Sequence, residues 1–258
     1  MNSSLEKWQT QLSKWAIPQE IIDQAEESPW IHPPAVFQIS KKIELTISHE
    51  IALEAIGSDG SVLDIGCGGG VAAFALVPPA RVVIGVDHQP EMLDMFSENA
   101  FERNVDCQIF LGFWPEVANV VPIADVVTAH HVLYNVANVE EFLKQMDVHA
   151  KKRVVIEIPT SHPLSNMNDL WMHFWGLTRP NGPTHLDLVS VIRELGFEPN
   201  FRVWLGELRL TVDADQAAEY MRIRLCLPKS RLSEVRDFMA NKGTSSTREI
   251  ATIWWDKK

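Results

Sequence analysis

Two carboxylates, one glycine-rich turn and a pair of adjacent histidines are the residues of this 258-residue chain best spaced to do chemistry. The turn is Asp64-Ile65-Gly66-Cys67-Gly68-Gly69-Gly70, entered from Val62-Leu63 and left through the apolar stretch Val71 to Val77. Glycine tolerates positive φ and lets a ligand lie against bare backbone. Asp64 narrows the choice of ligand, because a carboxylate repels a pyrophosphate and attracts a cationic amino-acid group. A dinucleotide fingerprint needs Gly-x-Gly-x-x-Gly. Here Val71 stands where the third glycine belongs, so a nicotinamide oxidoreductase is disfavoured; a plain glycine turn is the other reading. Asp87 closes the next apolar run, Val82-Val83-Ile84-Gly85-Val86. In doubly wound folds an acid at that place accepts the ribose hydroxyls of an adenosine ligand.

The elements that must hold these residues are legible from periodicity. Leu5, Trp8, Leu12 and Trp15 make one helical stripe, and Pro18 suits the first turn of a short helix carrying Ile21, Ile22 and Ala25. The segment Ser28 to Pro34 interrupts helix formation, and a longer helix is predicted to end before Gly57. Residues 1–57 thus read as a helical N-terminal cap or lid, with Trp15 and Trp30 as its apolar wall. From Ser61 the chain alternates. The runs 62–65, 82–86, 108–111, 125–129 and 154–158 are short and nearly continuously apolar, as strands buried on both faces must be. Helices are predicted near 70–77, 90–103, 133–148 and 184–195, the last capped by Thr184 with Asp187 and stopped by Gly196. A strand near 200–210, helices near 213–225 and 229–241 and a strand near 247–255 complete the chain, with Trp254 and Trp255 in an edge or terminal strand. The expected fold is α/β: a doubly wound, Rossmann-like, seven-stranded, mostly parallel sheet with an antiparallel last strand. Residues 58–258 form that domain, with helical insertions after strand 5 and between strands 6 and 7.

Composition bounds the partners. A formal charge of −11 repels a phosphate backbone and argues against nucleic acid. The trio Lys151, Lys152 and Arg153 reads as a solvated helix C-terminus. Cys67, Cys107 and Cys226 fit neither a disulfide framework nor a metal-ligand spacing. No apolar run reaches membrane-spanning length and no signal core is present, so the expected location is cytoplasmic, with no membrane partner. The oligomeric state stays open, a homodimer being one option.

On these residues the sequence resembles the class I S-adenosylmethionine-dependent methyltransferases, closely over residues 58–160 and in outline elsewhere. Within that family it is similar to uncharacterised actinobacterial small-molecule members. The resemblance implies S-adenosylmethionine as cofactor and S-adenosylhomocysteine as product. It implies that the loop with Asp64, Gly66 and Gly68 wraps the methionine end, that Asp87 holds the ribose and that His88 packs on adenine. Leu111-Gly112-Phe113-Trp114 lies where many members carry a Gly-Asp pair at the adenine amino group. Phe113 departs from that pattern, so Gly112 supplies backbone, while Phe113 and Trp114 either stack on the base or are core aromatics. The run Ala124 to Leu133 matches the fourth strand and the turn beneath the transferred methyl, which sets His130 against the cofactor.

Methyl transfer from a sulfonium is an in-line displacement, so the enzyme positions the acceptor and removes its proton where needed. No Asn-Pro-Pro-aromatic motif follows strand 4, and no Pro-Cys or Thr-Cys pair follows strand 4 or 5, which disfavours nucleobase chemistry. The expected acceptor is an O, N or S atom of a small molecule. His130, His131 and His162 are the candidate bases, and Tyr134, Trp171, His173 and Trp175 further candidates for the acceptor site, since ligands sit at the carboxyl ends of the strands. Two rivals stay open: a catalytically degenerate, methyltransferase-like binding or regulatory protein, and an RNA or protein methyltransferase.

Overall fold

The Val- and Ile-rich runs become seven strands: β1 (Ser61–Ile65), β2 (Val82–Asp87), β3 (Asp106–Leu111), β4 (Ala124–His130), β5 (Ala150–Pro159), β6 (Asn200–Glu207) and β7 (Thr247–Asp256). The computed structural model describes residues 3–30, 39–40, 42–207, 213–242 and 247–258. The strands form one sheet in the order β3-β2-β1-β4-β5-β7-β6. The first five are parallel, and β7 runs antiparallel between β5 and β6. Strand order reverses between β1 and β4, and the crevice outside their carboxyl ends is where such sheets bind ligands.

Ten helices flank the sheet among the described residues: α1 (Ser4–Ser13), α2 (Gln19–Ile22), α3 (Ile47–Ile56), α4 (Val71–Phe74), α5 (Pro90–Glu102), α6 (Val139–His149), α7 (Asn168–Trp175), α8 (His185–Glu194), α9 (Ala214–Arg224) and α10 (Leu232–Lys242). The Thr184–Asp187 capping box starts α8, and Gly196 follows its end at φ +88°. None of the helices is long and apolar enough to cross a membrane.

Several elements differ from expectation, each for a local reason. The edge strand β3 is largely exposed, with Ile109 and Leu111 among the exposed apolar residues, because no strand covers its outer side. The helix expected from residue 133 begins at Val139; a 3-10 turn over Leu133–Asn135 comes first. Helix α3 begins only at Ile47, where Thr46 and His49 form a capping box, and part of the breaker expected at Ser28 to Pro34 lies outside the described residues. Lys151, Lys152 and Arg153 are not at a helix end. They open β5, with Lys152 paired to Asp125 and Arg153 to Glu54 and Asp256. Trp254 and Trp255 lie on β7, the terminal strand of the chain, which is interior to the sheet and not at its edge.

Three apolar clusters hold these layers. On one face α1, α6 and α8 pack Trp8, Phe142, Leu143, Leu188 and Ile192 against the strands. On the other, Ile51 of α3, Phe74 of α4 and Phe96 of α5 do the same. The third cluster lies off the sheet and joins Ile17 and Ile21 to Trp171 and Phe174 of α7, Leu225 after α9 and Val235 of α10. The N-terminal segment therefore does not sit as one cap. Its first helix belongs to the main core, its second to the insertion helices, and α3 to the opposite face. Trp15 is buried, whereas Trp30 is exposed.

Trp8 is fully buried, stacks on Tyr134 at 5.7 Å and donates its indole N–H to the Val136 carbonyl at 3.0 Å. Trp8→Ala should therefore cost about 3–5 kcal/mol in chemical denaturation. A loss below about 1 kcal/mol would show that α1 is a detachable lid.

Candidate active site

The glycine-rich loop leaves β1 and folds back on β2. The Gly66 and Cys67 N–H groups donate to the Val86 carbonyl at 2.8 and 3.1 Å. Gly66 and Gly70 stand at φ +68° and +92°, and a Cβ at Gly66 would meet Val132 Cγ2 at 2.6 Å. Only glycine fits there, and the contact brings the loop against the turn after β4. Asp87 ties the loop from below: Oδ2 accepts the Gly68 N–H and Oδ1 the Gln89 N–H, both at 3.0 Å.

Asp64 is held differently. It is buried at the end of β1, and its Oδ1 accepts the Thr128 hydroxyl at 3.0 Å. Its Oδ2 is buried with no hydrogen-bond partner. Burial pushes the carboxyl up to about 7, and the charge of Asp87 adds to the effect. A buried carboxylate oxygen with no donor, beside a loop that only glycines can form, fits a ligand carrying a cationic amino group and an adenosine. Asp64, Gly66, Gly68 and Asp87 are the residues that would hold it.

Around the second acid, the His88 and Phe113 rings stack on each other at 4.8 Å and 20°, and both are exposed. The Gly112 N–H donates to the Asp87 carbonyl at 2.9 Å, which anchors the start of the Phe113 turn. Trp114 is a core aromatic: it is buried, packs edge-on against Phe142 and His149, and donates to the Phe142 carbonyl at 3.2 Å. The open alternative at Trp114 thus falls on the core side.

The histidine turn is built around a residue that the sequence reading missed, Glu157 of β5. His131 has φ +61°, and its backbone N–H donates to the Glu157 carbonyl at 2.7 Å. Its Nε2 lies 3.0 Å from Glu157 Oε1, so backbone and side chain are pinned by one residue while the ring stays 43% exposed. Thr46 donates its hydroxyl to Glu157 Oε2 at 3.3 Å from the cap of α3, and Ser48 adds another bond. Burial opposes ionisation of Glu157, but the flanking imidazoles and Ser48 outweigh it and hold the carboxyl well below the usual carboxylate range. His130 stacks on His49 at 5.5 Å, and burial pushes it down to about 3, so it is neutral at pH 7. The signal for Glu157 was in Val155-Ile156-Glu157-Ile158, where one charge interrupts a buried strand.

His162, just past β5, stacks on Trp15 at 3.8 Å and meets Tyr134 at 5.2 Å. It too is pushed down to about 3, first by burial and then by Arg179 and Arg224. Trp171 belongs to the same neighbourhood through Arg179, which lies over both the Trp15 and Trp171 rings. His173 and Trp175 do not join it: His173 packs on Phe238, and Trp175 donates to the Leu225 carbonyl at 2.8 Å.

The family model described as a methyltransferase domain matches residues 40–199. The chain belongs to this family. S-adenosylmethionine is therefore the cofactor of the methyltransferase domain. The chain is also similar to an uncharacterised protein of Haemophilus influenzae, 26% identical over 148 residues. That match covers 56% of this chain and 53% of the other, so the chain spans about half the length of the curated relative it matches. Among solved structures it is similar to an S-adenosylmethionine-dependent methyltransferase from Thiobacillus denitrificans in complex with S-adenosyl-L-homocysteine. There the identity is 15%, the coverage 94% of this chain and 99% of that one, and the TM-score 0.52. It is also similar to the magnesium protoporphyrin IX methyltransferase of Synechocystis with bound S-adenosylhomocysteine, at 12% identity, 86% and 91% coverage and TM-score 0.51. A putative RNA methyltransferase from Pyrococcus horikoshii matches at 14% identity, 98% and 98% coverage and TM-score 0.50. At these identities the likeness establishes the fold alone.

Two outcomes follow for the methyltransferase domain. Asp87→Asn should weaken S-adenosylhomocysteine binding by more than tenfold in calorimetry, since it removes a charged acceptor that also holds the loop. Because the Asp64 carboxyl titrates near 7 and a cationic ligand favours its ionised form, S-adenosylmethionine affinity should rise as pH increases through 7. Asp64→Asn should flatten that dependence; a wild-type profile already flat would remove Asp64 from the contact.

Proposed function

We propose that the protein transfers the methyl group of S-adenosylmethionine to an O, N or S atom of a small-molecule acceptor. The observation that carries this reading is the contact between the glycine-rich loop and the histidine turn, Gly66 against Val132, which sets the exposed His131 imidazole beside the cofactor loop. The net charge of −11 supports a small acceptor over an RNA.

The cofactor supplies an electrophilic methyl, and the chain's own residues do the rest. Three histidines were candidates for taking the acceptor proton, and their surroundings separate them. His130 and His162 are buried and titrate near 3, too weakly basic to hold a proton at neutral pH. His131 is exposed, and with Nε2–H donated to Glu157 its Nδ1 is left to accept a proton. Glu157, ionised and locked by Thr46 and Ser48, fixes the ring orientation and stabilises the imidazolium that forms. The His131 φ of +61°, a region that a non-glycine side chain rarely adopts, is strain of the kind found at functional turns.

The reading is tested by screening phenols, amines and thiols for S-adenosylhomocysteine release from S-adenosylmethionine. With an accepted substrate, His131→Gln should lower kcat about 10²–10⁴-fold while cofactor affinity stays within a few fold. Cofactor binding with no turnover across the panel would favour the binding or regulatory role instead. Glu157→Gln removes the charge that faces the His131 ring and should lower kcat at least tenfold while cofactor affinity stays within a few fold. An unchanged kcat would take Glu157 out of the mechanism.

A further inference from the structure

Two cations stand on the acceptor side of the histidine turn with no carboxylate to meet them. Arg179, from the loop between α7 and α8, is only 6% exposed. Its guanidinium donates to the Ala16 carbonyl at 3.1 Å and to the Trp15 carbonyl, and its Cζ lies 5.1 Å from both the Trp15 and Trp171 rings. Arg224, closing α9, donates to the Pro29 carbonyl at 2.7 Å and lies over Tyr220. Among the described residues neither guanidinium has a carboxylate within 4.0 Å, and the remaining residues contain no Asp or Glu. The other buried arginine is the control, whereas Arg224 is half-buried. Arg222 is fully buried, but Glu27 meets it at 2.6 Å and Glu219 at 2.8 Å.

A guanidinium taken out of water without a counter-charge is costly, and so is a donor left without an acceptor. Both costs fall at one place. Arg179 Nε and Trp171 Nε1 are buried donors with no hydrogen-bond partner. The place adjoins the reaction centre, for Trp15 stacks on His162, His162 meets Tyr134, and Tyr134 lies three residues beyond His131. Arg224 directly precedes Leu225, which packs in the same apolar cluster as Trp171, and its charge, like that of Arg179, disfavours protonation of His162.

We propose that Arg179, Arg224 and the Trp171 N–H form an anion subsite of the acceptor pocket, and that the methyl acceptor carries a carboxylate. A carboxylate matches the planar fork of Arg179 and offers oxygens to both orphan donors. Trp15, Trp171 and neutral His162 wall the subsite with apolar rings, which strengthens the pairing by excluding water. The proposal rests on the methyltransferase reading above.

The test is calorimetry on the full chain saturated with S-adenosylhomocysteine, titrated with benzoate, phenylacetate and indole-3-carboxylate and with the amide of each. At least one carboxylate should bind saturably and at least tenfold tighter than its amide. Arg224→Gln and Arg179→Lys should each weaken it at least tenfold, while Arg81→Gln, at an exposed pair far along the chain, should not. Arg224→Gln keeps the test sound if the Arg179 variant fails to fold, because Arg224 does not clamp Trp15. No saturable carboxylate in the wild type, equal binding of the amides, or unchanged binding in Arg224→Gln would overturn the proposal, as would tight binding of phenyl phosphate in place of all three. S-adenosylhomocysteine binding is read in the same samples. If it persists while the carboxylates fail, only the subsite falls; if it is absent, the methyltransferase reading falls with it.

Discussion

A carboxylate removed from water must be met by donors or it takes up a proton, and that demand organises the carboxyl edge of this sheet. Three acids end or interrupt strands there, and each is met differently. Asp87 is satisfied by two backbone N–H groups of the loops it joins, so it is as much a brace of the glycine-rich turn as a ligand contact. Glu157 is surrounded by hydroxyls and imidazole and stays ionised. Asp64 has the Thr128 hydroxyl, a backbone bond from Ala73 and one oxygen without a partner, and burial holds its carboxyl near 7. The least satisfied of the three is the one that stands to gain most from a cationic ligand.

Glu157 links parts of the chain that are far apart in sequence. It reaches the cap of α3 through Thr46 and the turn after β4 through His131, so the segment before the first strand helps set the geometry of the histidine turn. The aromatic side of the site depends on distant pieces in the same way. Trp15 comes from the N-terminus, His162 from the end of β5 and Arg179 from the loop before α8, and they meet only because α2, α7, α9 and α10 share a separate apolar cluster beside the sheet.

This division matches what each region does. The cofactor side is built from strand ends and short loops with backbone hydrogen bonds, a rigid arrangement that any acceptor chemistry can use. The proposed acceptor side is built from side chains on the N-terminal segment and the insertions, where residues can change without disturbing the sheet.

The sequence by itself determined the sheet, its antiparallel last strand, the loop from Asp64 to Gly70 and the acid at Asp87, because these follow from short-range rules: two-residue and 3.6-residue periodicity, glycine at positive φ, a carboxylate at a strand end. It also put His130, His131 and His162 forward together, with nothing in their residue type to rank them. Tertiary structure alone decided that His130 and His162 are buried and neutral while His131 is exposed and bonded to Glu157, since burial and charge pairing depend on residues distant in sequence. It likewise decided that Trp114 is core, that Trp8 belongs to the sheet rather than to a lid, and that Arg179 is buried without a counter-charge. Those outcomes are set by which distant side chains share a volume, and local pattern carries no record of that.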